Sequence, residues 1–331
     1  MTGKVAFCVV AWNNADVLPT CLDSLQAQVD VAFDIYLIDN GSTDDTRDVL
    51  VRYPQVKVTR STINTGFARG NNILIRQALN DPDVRYVALV NTDATLDPSW
   101  AFSLASFADA HANAGSLQGL TLDYFDHTVV DSMHIFVNQY LHATQYGYGE
   151  KVLPPDSYVP RKVFGVNAAA CMYTRAMLER LPDRQHGFFD ERFFMYYEDI
   201  DASYRALVCG WDAWFVPAAV AYHMGSFSTK RRGSAFSLKM IARNTPAMAF
   251  KNTPTAVLRR SLPNMARGFL KLVRVLAGRD GPLGAIRYAL WYIQGVLRLP
   301  KLAASRRQIL GAQVIETDHL MRIFRQEGIL D

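Results

Sequence analysis

Phe33-Asp34-Ile35-Tyr36-Leu37-Ile38-Asp39-Asn40-Gly41-Ser42-Thr43-Asp44-Asp45-Thr46 joins an apolar, strand-length run to an acidic turn and the start of a helix. Upstream, Val5–Val10 is a continuous apolar run, as expected of a strand buried on both faces. Between the two, Val17, Leu18, Cys21, Leu22 and Leu25 recur at helical spacing within 14–25. Downstream, Val56-Lys57-Val58-Thr59 reads as a short third strand, and Tyr86–Val90 as a fourth that ends in Asn91-Thr92-Asp93. Strand and helix alternate, which predicts an α/β fold with a mostly parallel, doubly wound, Rossmann-like sheet. In such sheets ligands bind at the carboxyl ends of the strands, and Asp39 and Asp93 both fall there. The helix after Asp39 is expected to be capped by Ser42 or Thr43. Residues 119–165 show weak periodicity and are expected to form hairpin and loop structure on one side of the cleft. Thr174–Arg180 and a stretch from about Ile200 to Cys209 read as helices, the second with Gly210 as its C-cap. Trp214-Phe215-Val216 reads as a strand.

A second stretch carries candidate chemistry. Phe193-Phe194-Met195-Tyr196-Tyr197-Glu198-Asp199-Ile200-Asp201 sets three carboxylates directly behind five large apolar and aromatic side chains. Buried carboxylates cost free energy unless hydrogen-bonded, paired or bound to a cation, and desolvation raises their pKa towards the range of a general base. The plain alternative is an acidic first turn complementing a helix dipole.

The chain is long enough for one large domain or two ordinary ones: 331 residues, half of them apolar. Cys8, Cys21, Cys171 and Cys209 show neither disulfide nor metal-type spacing, so they are expected as buried thiols in a reducing cytoplasm. No cleavage-type signal follows Met1–Lys4. The formal charge of +4 is uneven, since residues 245–331 hold 14 Lys/Arg against 5 Asp/Glu. That asymmetry divides the chain into a slightly acidic body, 1–244, and a basic C-terminal helical region, 245–331. Within the latter, residues 281–297 carry Arg287 as their sole charge. A membrane span needs about 20 apolar residues, so the expectation is an amphipathic helical extension lying on an anionic membrane surface. Packing on the body or a homo-oligomer interface is the alternative use of these helices.

The first region contains neither GxGxxG nor GxxxxGK[ST], which removes the main support for a dinucleotide or P-loop site. What remains is two acidic strand ends, the polar loop Asn64–Asn72, and a late His223. An aspartate and a histidine meeting at a strand-end cleft suit Mg²⁺ or Mn²⁺ beside a diphosphate.

These motifs, in order, resemble family 2 glycosyltransferases of GT-A fold, in the bacterial rhamnosyltransferase-like group. The residues that carry the resemblance are Val9-Val10-Ala11-Trp12-Asn13, Cys21-Leu22-Asp23-Ser24-Leu25, Ile38–Asp44, Asn64-Thr65-Gly66-Phe67-Ala68-Arg69-Gly70-Asn71-Asn72, Leu89–Asp93, Gly187–Asp201 and Tyr222-His223. They span roughly residues 4–230. The resemblance implies inverting transfer of a sugar from a nucleotide diphosphate donor, dTDP-rhamnose or a UDP-sugar, to a lipid-linked or polysaccharide acceptor in cell-surface glycan synthesis. By position, Ala11, Asn13 and Asp39 would contact base and ribose, and Arg69 and Asn72 the ribose or diphosphate. Asn91-Thr92-Asp93 stands at the DxD-type motif. Asp93 and His223 would ligate a divalent metal, Mg²⁺ or Mn²⁺. Asp199 would be the base, Glu198 its neighbour in the acceptor site, and Asp201 a structural cap. Two departures are Asn91, in place of the first acidic residue of DxD, and Ala169, where many relatives have glycine. The resemblance places the protein in the cytoplasm, at the inner face of the bacterial cell membrane, with no nucleic-acid partner. A catalytically inactive GT-A scaffold and a nucleotidyltransferase are the competing readings. The second lacks its basic phosphate loop, because Ala11-Trp12-Asn13-Asn14-Ala15 follows the first strand.

Overall fold

The computed structural model describes residues 3–225, 234–325 and 329–330. The first third runs β1 (Lys4–Ala11), α1 (Leu18–Gln26), β2 (Phe33–Asn40), α2 (Thr46–Val51), β3 (Lys57–Ser61), α3 (Phe67–Ala78), β4 (Val84–Val90), β5 (Ala94–Leu96) and α4 (Trp100–Ala110). The middle contains β6 (Ala114–Asp123), β7 (Val130–Ser132), β8 (His134–Val137), β9 (Ala143–Tyr146), β10 (Arg161–Val163), β11 (Ala170–Thr174), α5 (Arg175–Arg180), α6 (Glu198–Val208) and β12 (Asp212–His223). Helices α7 (Ser234–Asn252), α8 (Thr255–Val296), α9 (Ala303–Gly311) and α10 (Thr317–Arg325) follow, then β13 (Ile329–Leu330). Helix α8 is broken at Gly281, whose φ of +75° is non-helical.

The main sheet has the order β13-β10-β12-β6-β11-β4-β1-β2-β3, with β5 on β12 and β7 on β6. Pairs β1–β2, β1–β4, β2–β3 and β6–β12 are parallel; β11 is inserted antiparallel between β4 and β6. Both faces are covered. Val5, Phe7 and Val9 of β1 pack under α1, α2 and α4, while Ala6 and Cys8 face α3, α5 and α6. The doubly wound α/β arrangement read from the strand runs is the observed one. A third apolar cluster joins the β8–β9 hairpin and α6 to α7–α10 through Phe164, Tyr204, Met248, Ile309 and Phe324.

Three local readings are corrected. Residues 119–165 are not only hairpin and loop, because β6 is an inner strand, hydrogen-bonded to both β11 and β12. It escaped notice because it is rich in small and polar residues. Gly119, for instance, lies where any Cβ would strike Ala219 O of the bulged β12. The cap of α2 is neither Ser42 nor Thr43: the helix starts at Thr46 after Asp45. Ser42 instead accepts from Asn13 N (3.1 Å) and donates its own N–H to Asp39 Oδ1 (2.9 Å), which ties the first two strand ends together. Asp201 is not a cap either, as described below. The division expected at 244/245 falls inside α7.

Candidate active site

Strands β1 and β4 lie side by side and parallel, so Asn91-Thr92-Asp93 leaves the sheet at the end where β1 delivers Val10–Asn14. A cavity of about 480 Å³ opens there. Its walls include Trp12, Asn40, Asn91, Thr92, Asp93, Asp131, Asn167–Ala169, Met195–Ile200 and His223. Donor-side and cluster residues that are far apart in sequence therefore share one cleft.

Register explains how His223 arrives. Strand β12 pairs antiparallel with β5, so His223 stands opposite Ala94, next to Asp93. His223 Nε2 is 3.4 Å from Asp93 Oδ1, and His223 Nδ1 is 3.1 Å from Asp131 Oδ2. Burial disfavours the imidazolium, but hydrogen bonds to Asp131 and Asp93 outweigh it and push the pKa up to about 10. Asp131 was missed by the sequence reading, and its signal was a lone aspartate in the apolar run Val129–Phe136.

The donor chemistry fits a divalent cation. Asp93 offers a carboxylate, and His223 Nε2, which faces it, would bind a cation in exchange for its proton. Asp131 holds the other ring nitrogen, as an orienting partner of a ligating histidine does. Mg²⁺ and Mn²⁺ are commonly held by one or two protein groups plus phosphate oxygens and water. Among the described residues, no cluster of three or more His, Cys, Asp or Glu side chains would hold a metal by protein groups alone.

The acidic cluster reaches the same cavity, and its three carboxylates differ. Asp199 reaches the cavity. Its Oδ2 accepts from Ala168 N (3.3 Å) and its Oδ1 from Ile200 N (2.8 Å), while burial raises its pKa above the ordinary carboxylate range. Glu198 is 5% exposed, and its Oε2 has no hydrogen-bond partner among the described residues. Burial, then the neighbouring Asp199 charge, pushes its pKa well up. Asp201 turns away into a fully buried ion cluster. It accepts from Arg205 Nε (3.0 Å), Lys251 Nζ (3.0 Å) and Asn252 Nδ2 (2.8 Å). Lys251 also meets Asp190 (2.7 Å) and Asp183 (3.2 Å), and Arg192 meets Asp190 (2.5 Å). Burial alone would raise the Asp190 pKa, but Lys251 and Arg192 hold it well below the usual range.

The run ahead of the cluster is strained. Phe194, Tyr196 and Tyr197 have φ of +67°, +64° and +74°. Left-handed conformations at such bulky residues cost on the order of 1–3 kcal/mol each and need support from their surroundings.

Other expected residues sort as follows. Ala11 ends β1 and is buried in the core behind the cavity, while Asn91 and Thr92 line the cavity. Asn13 lines an adjoining pocket with Asp16 and Asp44, and its Oδ1 accepts from Thr43 N (2.8 Å). Asp39 is fully buried and accepts from Ser42 N and Arg47 Nε (3.4 Å). Arg69 and Asn72 do not line the cavity. Arg69 is largely exposed, 3.9 Å from Glu191. Asn72 is buried, donating to Phe189 O (2.7 Å) and accepting from Phe189 N (2.9 Å), so it staples the loop before the cluster. Ala169 lines the cavity, and its carbonyl accepts from Asn91 N at 2.8 Å.

Comparison with known proteins agrees with this architecture. The family described as Glycosyl transferase family 2 matches residues 6–181. N-acetylglucosaminyl-diphospho-decaprenol L-rhamnosyltransferase of Mycobacterium tuberculosis is 29% identical over 252 residues, covering 70% of this chain and 79% of that protein. Among solved structures, residues 1–349 of S. aureus TarS superpose with a TM-score of 0.56 at 16% identity, over 98% of this chain and 91% of the other. The Pyrobaculum calidifontis mannosyltransferase PcManGT, in complex with GDP-Man and Mn²⁺, gives 0.53 at 17% identity, over 94% and 86%. The strand order, the strand-end cavity and the family match lead to one conclusion: this is a GT-A-fold enzyme, and the chain belongs to glycosyltransferase family 2.

Proposed function

We propose that the protein transfers a sugar, with inversion, from a nucleoside diphosphate donor to a hydroxyl of a lipid-linked or glycan acceptor in cell-surface glycan synthesis. The observation that carries this reading is the shared cavity, which Asp93, His223, Glu198 and Asp199 all line. The base and ribose would lie towards Asn13, Asp39 and the ends of β1 and β2. Asp93 and His223 would hold Mg²⁺ or Mn²⁺. Bound there, the ion would neutralise charge on the departing diphosphate. Asp199, with its raised pKa and its exposure to the cavity, takes the proton of the acceptor hydroxyl. The acceptor oxygen bonds to the anomeric carbon as the bond from that carbon to the diphosphate oxygen breaks, and the nucleoside diphosphate leaves with the electron pair. Glu198, whose proton burial favours, stands beside that base.

A rhamnosyl donor, dTDP-rhamnose, is preferred because the M. tuberculosis relative is named as a rhamnosyltransferase; a UDP-sugar is the second choice. That relative's name also describes a lipid-diphosphate acceptor, which suits the exposed apolar and basic side chains of α8. Leu270, Val275, Leu283, Ile286 and Leu290 are exposed beside the exposed Lys271, Arg274 and Arg287. No helix among the described residues is long and apolar enough to cross a membrane. We therefore read α8 as lying on an anionic surface, at the cytoplasmic face of the membrane. A panel of dTDP-, UDP- and GDP-sugars, assayed by release of nucleoside diphosphate, tests the function. Turnover of a single donor is expected. Asp199→Asn should lower kcat by about 10²–10⁴-fold and leave nucleotide binding intact. Undiminished turnover in that variant would end the base assignment.

A further inference from the structure

The strained run Phe193–Tyr197 has a hydrogen-bond arrangement that the acidic cluster alone does not explain. Each of its five carbonyls is engaged. Phe194 O accepts from Phe67 N (2.8 Å) and Ala68 N (3.2 Å) at the start of α3. Tyr197 O accepts from Asp201 N (2.9 Å) within α6. The other three converge on one side chain. Asn244 Nδ2, fully buried in α7, donates to Phe193 O (3.1 Å), Met195 O (3.1 Å) and Tyr196 O (2.8 Å). An amide nitrogen has two hydrogens, so one of these bonds is shared. Asn244 therefore occupies the concave side of a loop whose left-handed residues lead directly into Glu198 and Asp199.

We propose that Asn244 is a positioning residue that holds the Phe193–Tyr197 loop in its left-handed path and thereby aims the Asp199 carboxylate into the cavity. The inference rests on Asp199 being the base. A side chain from α7, outside the run of matching motifs, then sets the geometry of the reacting group. The packing behind it is close: α8 comes so near α7 at Gly295 that a Cβ there would strike Arg243 O, one residue before Asn244. Displacing a base by about 1 Å can lower turnover by about 10²-fold with little effect on ground-state binding.

The test uses the full chain, with Asn244→Asp, which keeps the shape and removes the donor, and Asn244→Ala. Each is measured for melting temperature, for nucleoside diphosphate affinity by calorimetry, and for kcat and KM. The expected result is a fall in kcat of about 10²-fold with donor KM and nucleotide Kd within a factor of about two. The double variant Asn244→Asp/Asp199→Asn should be no slower than Asp199→Asn alone, because residues acting as a unit are not additive. Wild-type kcat in both Asn244 variants overturns the proposal. So does a fall in kcat matched by loss of nucleotide binding, which would make Asn244 a general support of the fold, and so does a multiplicative double variant. If Asp199→Asn itself turns over normally, the base assignment fails first and the proposal falls with it. An inactive Asp199→Asn beside fully active Asn244 variants refutes the Asn244 role alone.

Discussion

Helices α7 and α8 adjoin in sequence and share the basic C-terminal region, yet they relate to the body in opposite ways. Helix α7 turns these polar side chains inward: Asn244, Lys251 and Asn252 are fully buried, and each bonds to the Phe193–Tyr197 loop or to the ion cluster at Asp201. Helix α8 turns large apolar side chains outward, with Leu283 69% and Leu290 54% exposed among exposed cations. Composition alone makes one basic tail of them. Contacts make two devices, a clamp built into the cavity wall and a platform facing outward.

Breaking the clamp should have the largest effect on stability. Lys251→Ala leaves Asp183, Asp190 and Asp201 short of a buried cation, and removal of one partner from such a cluster costs about 3–5 kcal/mol. Thermal or urea unfolding would show it; an unchanged midpoint would mean that the cluster does not hold α7 to the body. Next comes the Asp131–His223 pair. Asp131→Asn should lower the His223 pKa from its raised value and weaken metal-dependent nucleotide binding by about 10–100-fold, the usual effect of losing an orienting partner. Titrating Mn²⁺ against nucleotide affinity measures this.

Platform substitutions should leave turnover of a water-soluble acceptor alone. Arg274→Gln with Arg287→Gln should weaken adsorption to anionic vesicles by about 1 kcal/mol per charge, as read by co-sedimentation. Equal binding of wild type and variant would assign the platform to another surface. The smallest effect concerns Glu198. Its folded pKa is raised, so the folded state binds this proton more tightly than the unfolded chain does. The stability this confers is complete below the unfolded pKa and is lost as pH rises through the folded one. Glu198→Gln should therefore stabilise the protein at alkaline pH by about 1 kcal/mol, the lower end of the cost of a buried unsatisfied group, and do little near pH 4. Paired melts at the two pH values check the sign.

The sheet and half of the site were legible because they rest on local signals. Strands β1, β2 and β4 are mostly apolar, with Asp39 at the C-terminal end of β2 and Asp93 three residues beyond β4. The acidic cluster announced itself by its position behind aromatics. The remainder depends on distance in the chain. Asp131 reaches His223 through a short strand on β6, and Asn244 reaches the loop from a helix some fifty residues on. Asn72 lies within its motif but faces the loop at 186–191, since side-chain direction on α3 cannot be read from spacing alone. Asp201 looked like a cap for the same reason: an acidic first turn is consistent with both a dipole and a buried ion cluster.

The fully bonded loop at Phe193–Tyr197 has a practical consequence for redesign. With every carbonyl engaged, that side of the cleft behaves as fixed masonry, intolerant of insertion or exchange. Ala143, Thr144 and Gln145 of β9, with Tyr148 just beyond it, also line the cavity, and Ala143 N donates to the Tyr197 hydroxyl (3.2 Å). Libraries that vary the cleft belong on Thr144, Gln145 and Tyr148, which line it outside the Phe193–Tyr197 loop.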